Sequence, residues 1–307
     1  MTHSVDLAQP RPAMGTLGSV LTSLRPYQWV KNLLVFAGLI FGGQLGNPAA
    51  VLKSAGAFVV FCGLSSAAYI VNDVLDRDTD RHHPRKARRP IAAGTLSVRA
   101  ALMLAAALTI GALGGAFAIN RDFGAVAVSY IVLMTLYSAL LKHQVILDVL
   151  ALSGGFVLRA LGGAVALGVL FSHWLLLLTL LLAMFLALSK RRAELTALAG
   201  NARAHRRALE HYSENLLDQM IAVVTASTVL AYAFYTISAE TVAKFGTDRL
   251  LFTLPFPLYG IFRYLYLIHQ QDGGGNPSEQ LFSDRALLVC VALWGLAVIA
   301  IIYGHRL

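Results

Sequence analysis

The chain has 307 residues, of which 57% are hydrophobic and 13% charged, with a mean hydropathy of +0.65 and a formal net charge of +9. Soluble domains carry roughly 25% charged residues, so a water-soluble globular enzyme is excluded and a multi-span membrane protein is implied. The basic surplus suits anionic lipid head groups or an anionic substrate; nucleic acid is excluded as a partner, because neither a binding motif nor aromatic interleaving accompanies the bases.

Residues 1–24 are polar and contain prolines, with no basic run leading into an apolar core, and read as a cytoplasmic N-terminal tail rather than a cleaved leader. Residues 25–307 read as one transmembrane domain. A bilayer core takes about 20 mostly apolar residues per helix. Nine segments qualify, at roughly 30–46, 50–71, 99–119, 123–141, 146–168, 172–189, 218–239, 250–268 and 285–304, which predicts an all-α, multi-pass bundle. Lys31 opens the first segment, as a snorkelling anchor or as a phosphate ligand. Cys62 and Cys290 both sit inside apolar runs and read as packing residues, not a disulfide. Gly111, Gly114, Gly115, Gly162 and Gly163 suit close helix packing.

Past the second segment comes NDVLDRDTDRHHPRKARRP, from Asn72 to Pro90. Asn72, Asp76 and Asp80 recur at i, i+4, i+8, and Asp73 precedes Asp76 by three. On a helix continued beyond the bilayer edge, these four oxygen-bearing side chains share one face, while Asp78 points elsewhere. Hard oxygen ligands of this kind suit Mg²⁺, with Mn²⁺ as a substitute, bridging to substrate phosphates. Asp73, Asp76 and Asp80 are therefore the candidate catalytic residues, and with Asn72 the candidate metal ligands. Lys86, Arg88 and Arg89 follow, so bases stand beside metal ligands as a pyrophosphate site requires. Tyr69 lies one turn deeper on the same face, to hydrogen-bond sugar or phosphate, or to pack.

Further along, Tyr137 and Lys142 end the fourth segment, where Lys142 reaches a phosphate or marks the membrane edge. Arg159 lies well inside the fifth, where an arginine is costly and by default functional; a buried acid partner is the alternative. Asp148 starts that helix and is placed to orient a base. After the sixth segment, ALSKRRAELTAL presents Lys190, Arg191 and Arg192, which suit a second phosphate. Glu194 stands at i+4 from Lys190, the spacing of a surface ion pair. Arg203, His205, Arg206 and Arg207 read as a solvated cap. Most of the 25 Lys and Arg fall on the side of the N-terminal tail. The other side holds Lys53, Arg121, Lys244, Arg249 and Arg306, which places the tail and both long charged loops in the cytoplasm of a cell (inner) membrane protein.

The stretch from Asn72 to Gly94 resembles the first aspartate-rich motif, NDxxDxxxD, of the UbiA superfamily of intramembrane transferases. The resemblance extends from about Arg25 onward, and implies a helical barrel around a central cavity where Mg²⁺ binds a diphosphate under a cytoplasmic cap. Prenyl-diphosphate-using members carry a second aspartate-rich motif after the sixth helix; here that place holds Lys190, Arg191 and Arg192. LRPYQWVKNLLVF, SKRRAEL and LYSALLKHQVILDVLALSGGFVLRALGGAVA resemble the branch that transfers phosphoribosyl groups to polyprenyl (decaprenyl) phosphate. That branch implies 5-phosphoribosyl 1-diphosphate (PRPP) as donor, a polyprenyl phosphate lipid as acceptor, and a product that is a precursor of arabinose donors for cell-wall arabinan. The rivals are a prenyltransferase acting on an aromatic acceptor, which calls for the missing acidic motif, and an anion transporter, which calls for repeated halves. A homo-oligomer is compatible with such a chain.

Overall fold

The computed structural model describes residues 15–83, 86–170, 172–197, 211–270, 280–281 and 283–304. Among these every regular element is helical: α1 (Thr16–Leu24), α2 (Ala37–Phe41), α3 (Pro48–Leu75), α4 (Arg77–Arg81), α5 (Pro90–Ala93), α6 (Val98–Ile119) and α7 (Arg121–Ala139). They continue with α8 (Leu147–Leu167), α9 (His173–Ala197), α10 (Glu214–Ile237), α11 (Ala239–Phe245), α12 (Pro255–Gln270) and α13 (Arg285–Tyr303). Eight helical runs among the described residues are long and apolar enough to cross a membrane, the one over 249–270 joining a 3₁₀ turn to α12. The run Arg203, His205, Arg206 and Arg207 lies outside the described residues.

Lipid offers no partner to an open helix end, and the sequence supplies them internally. Asn47 accepts from the amides of Ala49 and Ala50, with Pro48 in the first turn. Ser97, Asn120, Ser213 and Asp284 cap α6, α7, α10 and α13 in the same way. Each such cap is worth about 1 kcal/mol. Thr16–Leu24, within the stretch expected as a tail, is helical, and Ser19 Oγ donates to Thr95 Oγ1 at 3.1 Å.

The first expected segment differs most from a regular span. It is a 3₁₀ helix, Pro26–Phe36, running into the short α2. This segment lies against α8 with no side chain between the backbones: a Cβ added at Gly163 would stand 1.9 Å from the Val35 carbonyl oxygen, and one at Gly38 would stand 2.6 Å from the Ala164 nitrogen. Small residues allow such approach where lipid supplies no hydrophobic driving force of its own. The expectation holds at Gly162 and Gly163. Gly111 and Gly114 have open space around them instead.

The packed interior is aromatic at its centre. Phe61 stacks edge-on against Tyr130 at 5.2 Å and tilts against Phe123 at 6.0 Å, joining α3 to α7. Outward positions such as Met103, Ile110 and Phe117 on α6, or Val289, Leu293 and Leu296 on α13, are exposed and apolar, as a lipid-facing surface requires. Consecutive spans alternate in direction. The C-terminal ends of α3, α7 and α9 and the N-terminal ends of α8 and α10 therefore meet at one end of the bundle, where the polar residues collect.

Candidate active site

The α3 ladder reaches its last regular turn at Leu75, bends at Asp76 and resumes as α4, with the Asp76 amide still bonded to the Asn72 carbonyl and the Asp80 amide to Asp76. The four oxygen-bearing side chains are thus presented from a bent, nearly continuous helix. Asp73 and Asp80 are buried, Asp76 is half-buried and Asp78 is exposed, bridged to Arg81 at 3.6 Å.

Each inner carboxylate has its own cation. Arg25 Nη2 stands 2.6 Å from Asp73 Oδ1, and its guanidinium lies 4.9 Å from the centre of the Tyr69 ring. Arg89 Nη1 donates both to Asp73 Oδ1 at 3.0 Å and to Asp80 Oδ2 at 2.6 Å. Lys86 Nζ is 4.0 Å from Asp80 Oδ1. Lys142 Nζ donates to Asp76 Oδ1 at 2.5 Å and reaches Asn72 Oδ1 at 3.5 Å, while Asn72 Nδ2 donates to Asp76 Oδ2. Burial pushes the Asp80 carboxyl above the ordinary aspartate value, against the pull of Arg89. Arg88, by contrast, is exposed.

Asp73 and Asp80 converge on one nitrogen of Arg89, so their oxygens already hold a single cationic point between them. An oxygen-only set with that geometry fits a magnesium-like cation. Among the described residues no three His, Cys, Asp or Glu side chains form a ready-made cage, so a cation here would draw part of its ligands from substrate phosphates.

Deeper in the bundle, Arg159 is buried without an acid among its hydrogen-bond partners. Its Nε donates to Asn32 Oδ1 at 2.7 Å, Nη1 to the Gly155 carbonyl at 2.9 Å and Nη2 to Tyr130 Oη at 2.6 Å. Its guanidinium also lies over the rings of Tyr130 and Phe156, at 4.7 and 5.2 Å. The alternative of a buried acid partner is not what the fold provides. Asn32 is itself fixed, donating to Ser65 Oγ and Cys62 Sγ. Lys31 shares the electrostatic neighbourhood of Arg25 and Arg159.

A second polar group sits across the α7–α8 turn. Arg191, expected as a phosphate ligand, is buried and engaged: Nε donates to Asp148 Oδ2 at 2.7 Å and Nη1 to Glu194 Oε2 at 2.6 Å. Asp148 does orient a base, and that base is Arg191 from α9. Lys190 and Glu194 form the expected i, i+4 pair at 3.7 Å, and Arg192 is paired with Asp218. Tyr137 lies within electrostatic reach of Arg191.

Arg25, Asn32, Tyr130 and Tyr212 were not singled out from the sequence. Arg25 had one signal, a base directly before Pro26 at the edge of an apolar run; in the structure it adopts left-handed backbone, φ 52° and ψ 58°, uncommon for a residue with a side chain. Asn32 had another, a lone amide inside a predicted span. Arg89 was noted as a base, and the fold makes it the link between the two buried aspartates.

With this geometry in view, the comparisons with known proteins are specific. Residues 32–283 match the model of the UbiA prenyltransferase family. The chain is 32% identical to a decaprenyl-phosphate phosphoribosyltransferase of Mycolicibacterium smegmatis over 98% of both chains. It is 33% identical to the enzyme of that name from Corynebacterium glutamicum, over 97% of this chain and 91% of that one. Among solved structures, a UbiA homolog from Archaeoglobus fulgidus bound to GPP and Mg²⁺ superposes with a TM-score of 0.71 at 21% identity, covering 92% of this chain and 99% of that one.

Proposed function

The chain belongs to the UbiA prenyltransferase family, and we propose that within it this protein transfers the 5-phosphoribosyl group of PRPP to a polyprenyl phosphate, releasing pyrophosphate. The charge inventory of the site carries this reading. Around three carboxylates, Asp73, Asp76 and Asp80, stand Arg25, Lys86, Arg89 and Lys142, with Lys31 and Arg159 deeper in the bundle. PRPP brings a diphosphate and a monophosphate, and the lipid acceptor brings another phosphate. A prenyl diphosphate with an aromatic acceptor would bring two fewer phosphate groups to these bases. The near-full-length relatives named decaprenyl-phosphate phosphoribosyltransferase support the same donor and acceptor.

Asn72, Asp73, Asp76 and Asp80 are the residues that would hold Mg²⁺, which when bound neutralises the diphosphate and eases its departure. Lys86, Arg88 and Arg89 take residual charge on the diphosphate, and Tyr69 donates to sugar or phosphate. Lys142, already against Asp76, is placed to exchange a carboxylate oxygen for a phosphate oxygen. Lys31 and Arg159 meet a substrate phosphate from below. On the far side Lys190 and Tyr137 take the remaining phosphate, with Arg191 held by Asp148 and Glu194. In the transfer itself the C1–O bond breaks with its electron pair leaving on the diphosphate. Positive charge develops at C1, and an oxygen of the lipid phosphate forms the new bond there. The acceptor is already an anion, so positioning and charge stabilisation replace a general base. The site end faces the cytoplasm of the cell membrane, a placement supported by the basic bias of the loops.

Purified protein with labelled PRPP, Mg²⁺ and decaprenyl phosphate is expected to yield lipid-linked phosphoribose and an equal amount of pyrophosphate. The same protein offered a prenyl diphosphate and an aromatic acid is expected to do nothing; prenylation of the acid would overturn the reading. Lys190→Ala should raise the KM of one substrate by about three- to tenfold, the loss of one charge-assisted hydrogen bond. Titrating PRPP and the lipid separately shows which phosphate that lysine serves.

A further inference from the structure

The backbone between α7 and α8 is strained at one residue. Ile146 has φ 69° and ψ −46°, and the Leu147 amide donates to the Val145 carbonyl at 2.8 Å across it. That is a γ-turn of the rare, strained hand, occupied by a β-branched side chain for which positive φ is a true outlier. Burial does not hold it there, since the Ile146 side chain is 44% exposed. A hydroxyl does. The Ile146 amide donates to Tyr212 Oη at 2.7 Å, and the same hydroxyl donates to Asp148 Oδ1 at 2.9 Å. Burial raises the Tyr212 phenol to about 12, so it remains a donor across the working pH range. Tyr212 is buried in one hydrophobic cluster with Val149, Phe185 and Leu188, so the hydroxyl is delivered from a fixed body.

The strained turn lies between two functional contacts. Four residues before it, Lys142 is buried against Asp76. Two residues after it, Asp148 holds Arg191. We infer that Tyr212 is a positioning residue, whose hydroxyl clamps the turn at Ile146 and thereby sets Lys142 toward the acidic motif and Asp148 toward Arg191. Tyr212 thus ties the connection leading into α10 to the turn that bears a substrate lysine. The inference rests on the proposed phosphoribosyl transfer for its kinetic consequence, though not for the clamp itself.

Tyr212→Phe keeps the ring and removes only the hydroxyl. It should raise the KM for PRPP by about three- to tenfold, with thermal stability little changed. Glycine adopts positive φ without steric cost, so Ile146→Gly should matter little alone and, added to Tyr212→Phe, should bring KM back to within about threefold of wild type. A Tyr212→Phe enzyme with normal KM, or one that Ile146→Gly fails to rescue, overturns the positioning role. Hydrogen–deuterium exchange over 144–148 reads the clamp directly: exchange should quicken in Tyr212→Phe, and unchanged exchange refutes the clamp whether or not PRPP is turned over. A wild-type protein inert toward PRPP while Tyr212→Phe still loosens this turn would instead overturn the proposed function and leave the clamp standing.

Discussion

Asp76→Ala and Asp80→Ala each lower phosphoribosyl transfer by about a hundredfold or more, the scale seen when one group stabilising transition-state charge is removed, and leave a folded bundle. Asp76 is half-buried and accepts from Lys142 and Asn72; without it the lysine keeps a contact to Asn72 Oδ1. Asp80 shares Arg89 with Asp73, so its removal leaves that arginine one carboxylate. Asp80→Ala strands no buried charge and should move the melting temperature by a few degrees at most, whereas Asp76→Ala leaves the buried Lys142 with only the neutral Asn72 and should lower it further. Activity should require Mg²⁺ or Mn²⁺ and vanish in EDTA, returning when the metal is restored. Full turnover in EDTA, or in either variant, refutes the metal-site assignment.

Arg159→Leu gives a folded and nearly inactive protein, and Arg159→Lys recovers part of the rate. A charged group in the middle of a span costs about 2.5–3.5 kcal/mol or more. Here three hydrogen bonds to Asn32, Gly155 and Tyr130 and two aromatic faces offset that cost without neutralising the charge. An uncompensated positive charge beside Lys31 and Arg25 suits an anionic substrate. Lysine preserves the charge and loses the planar fork, which is why its recovery is partial. Leucine should depress kcat/KM by about a hundredfold, the cost of losing a preorganised charge at the reacting group. If Arg159→Leu remains active and melts higher than wild type, the arginine has no part in the reaction.

The sequence made the spans legible because apolar length is a one-dimensional property. Eight of the nine predicted segments coincide with helical runs long and apolar enough to span, the first being the exception. What the sequence hid is partnership. Arg191 finds Asp148 from 43 positions away, and Arg159 finds Asn32 from 127; no periodicity encodes such pairs. Arg89 and Arg88 are adjacent and chemically alike. Only the 3₁₀ turn at Lys86–Arg88 decides which of them turns in toward Asp73 and Asp80. The first segment departs from a regular helix and lies main chain to main chain against α8; composition does not record distance.

That close approach also limits how far neighbouring parts of the bundle can shift against one another. Where Val35 meets Gly163, and Gly38 meets Ala164, main chain touches main chain. No rotamer lies between them to flex, and dense packing transmits a push rather than absorbing it. Main-chain contact of this kind couples the Pro26–Phe36 segment rigidly to α8 and fixes Lys31, Asn32 and Arg159 relative to one another.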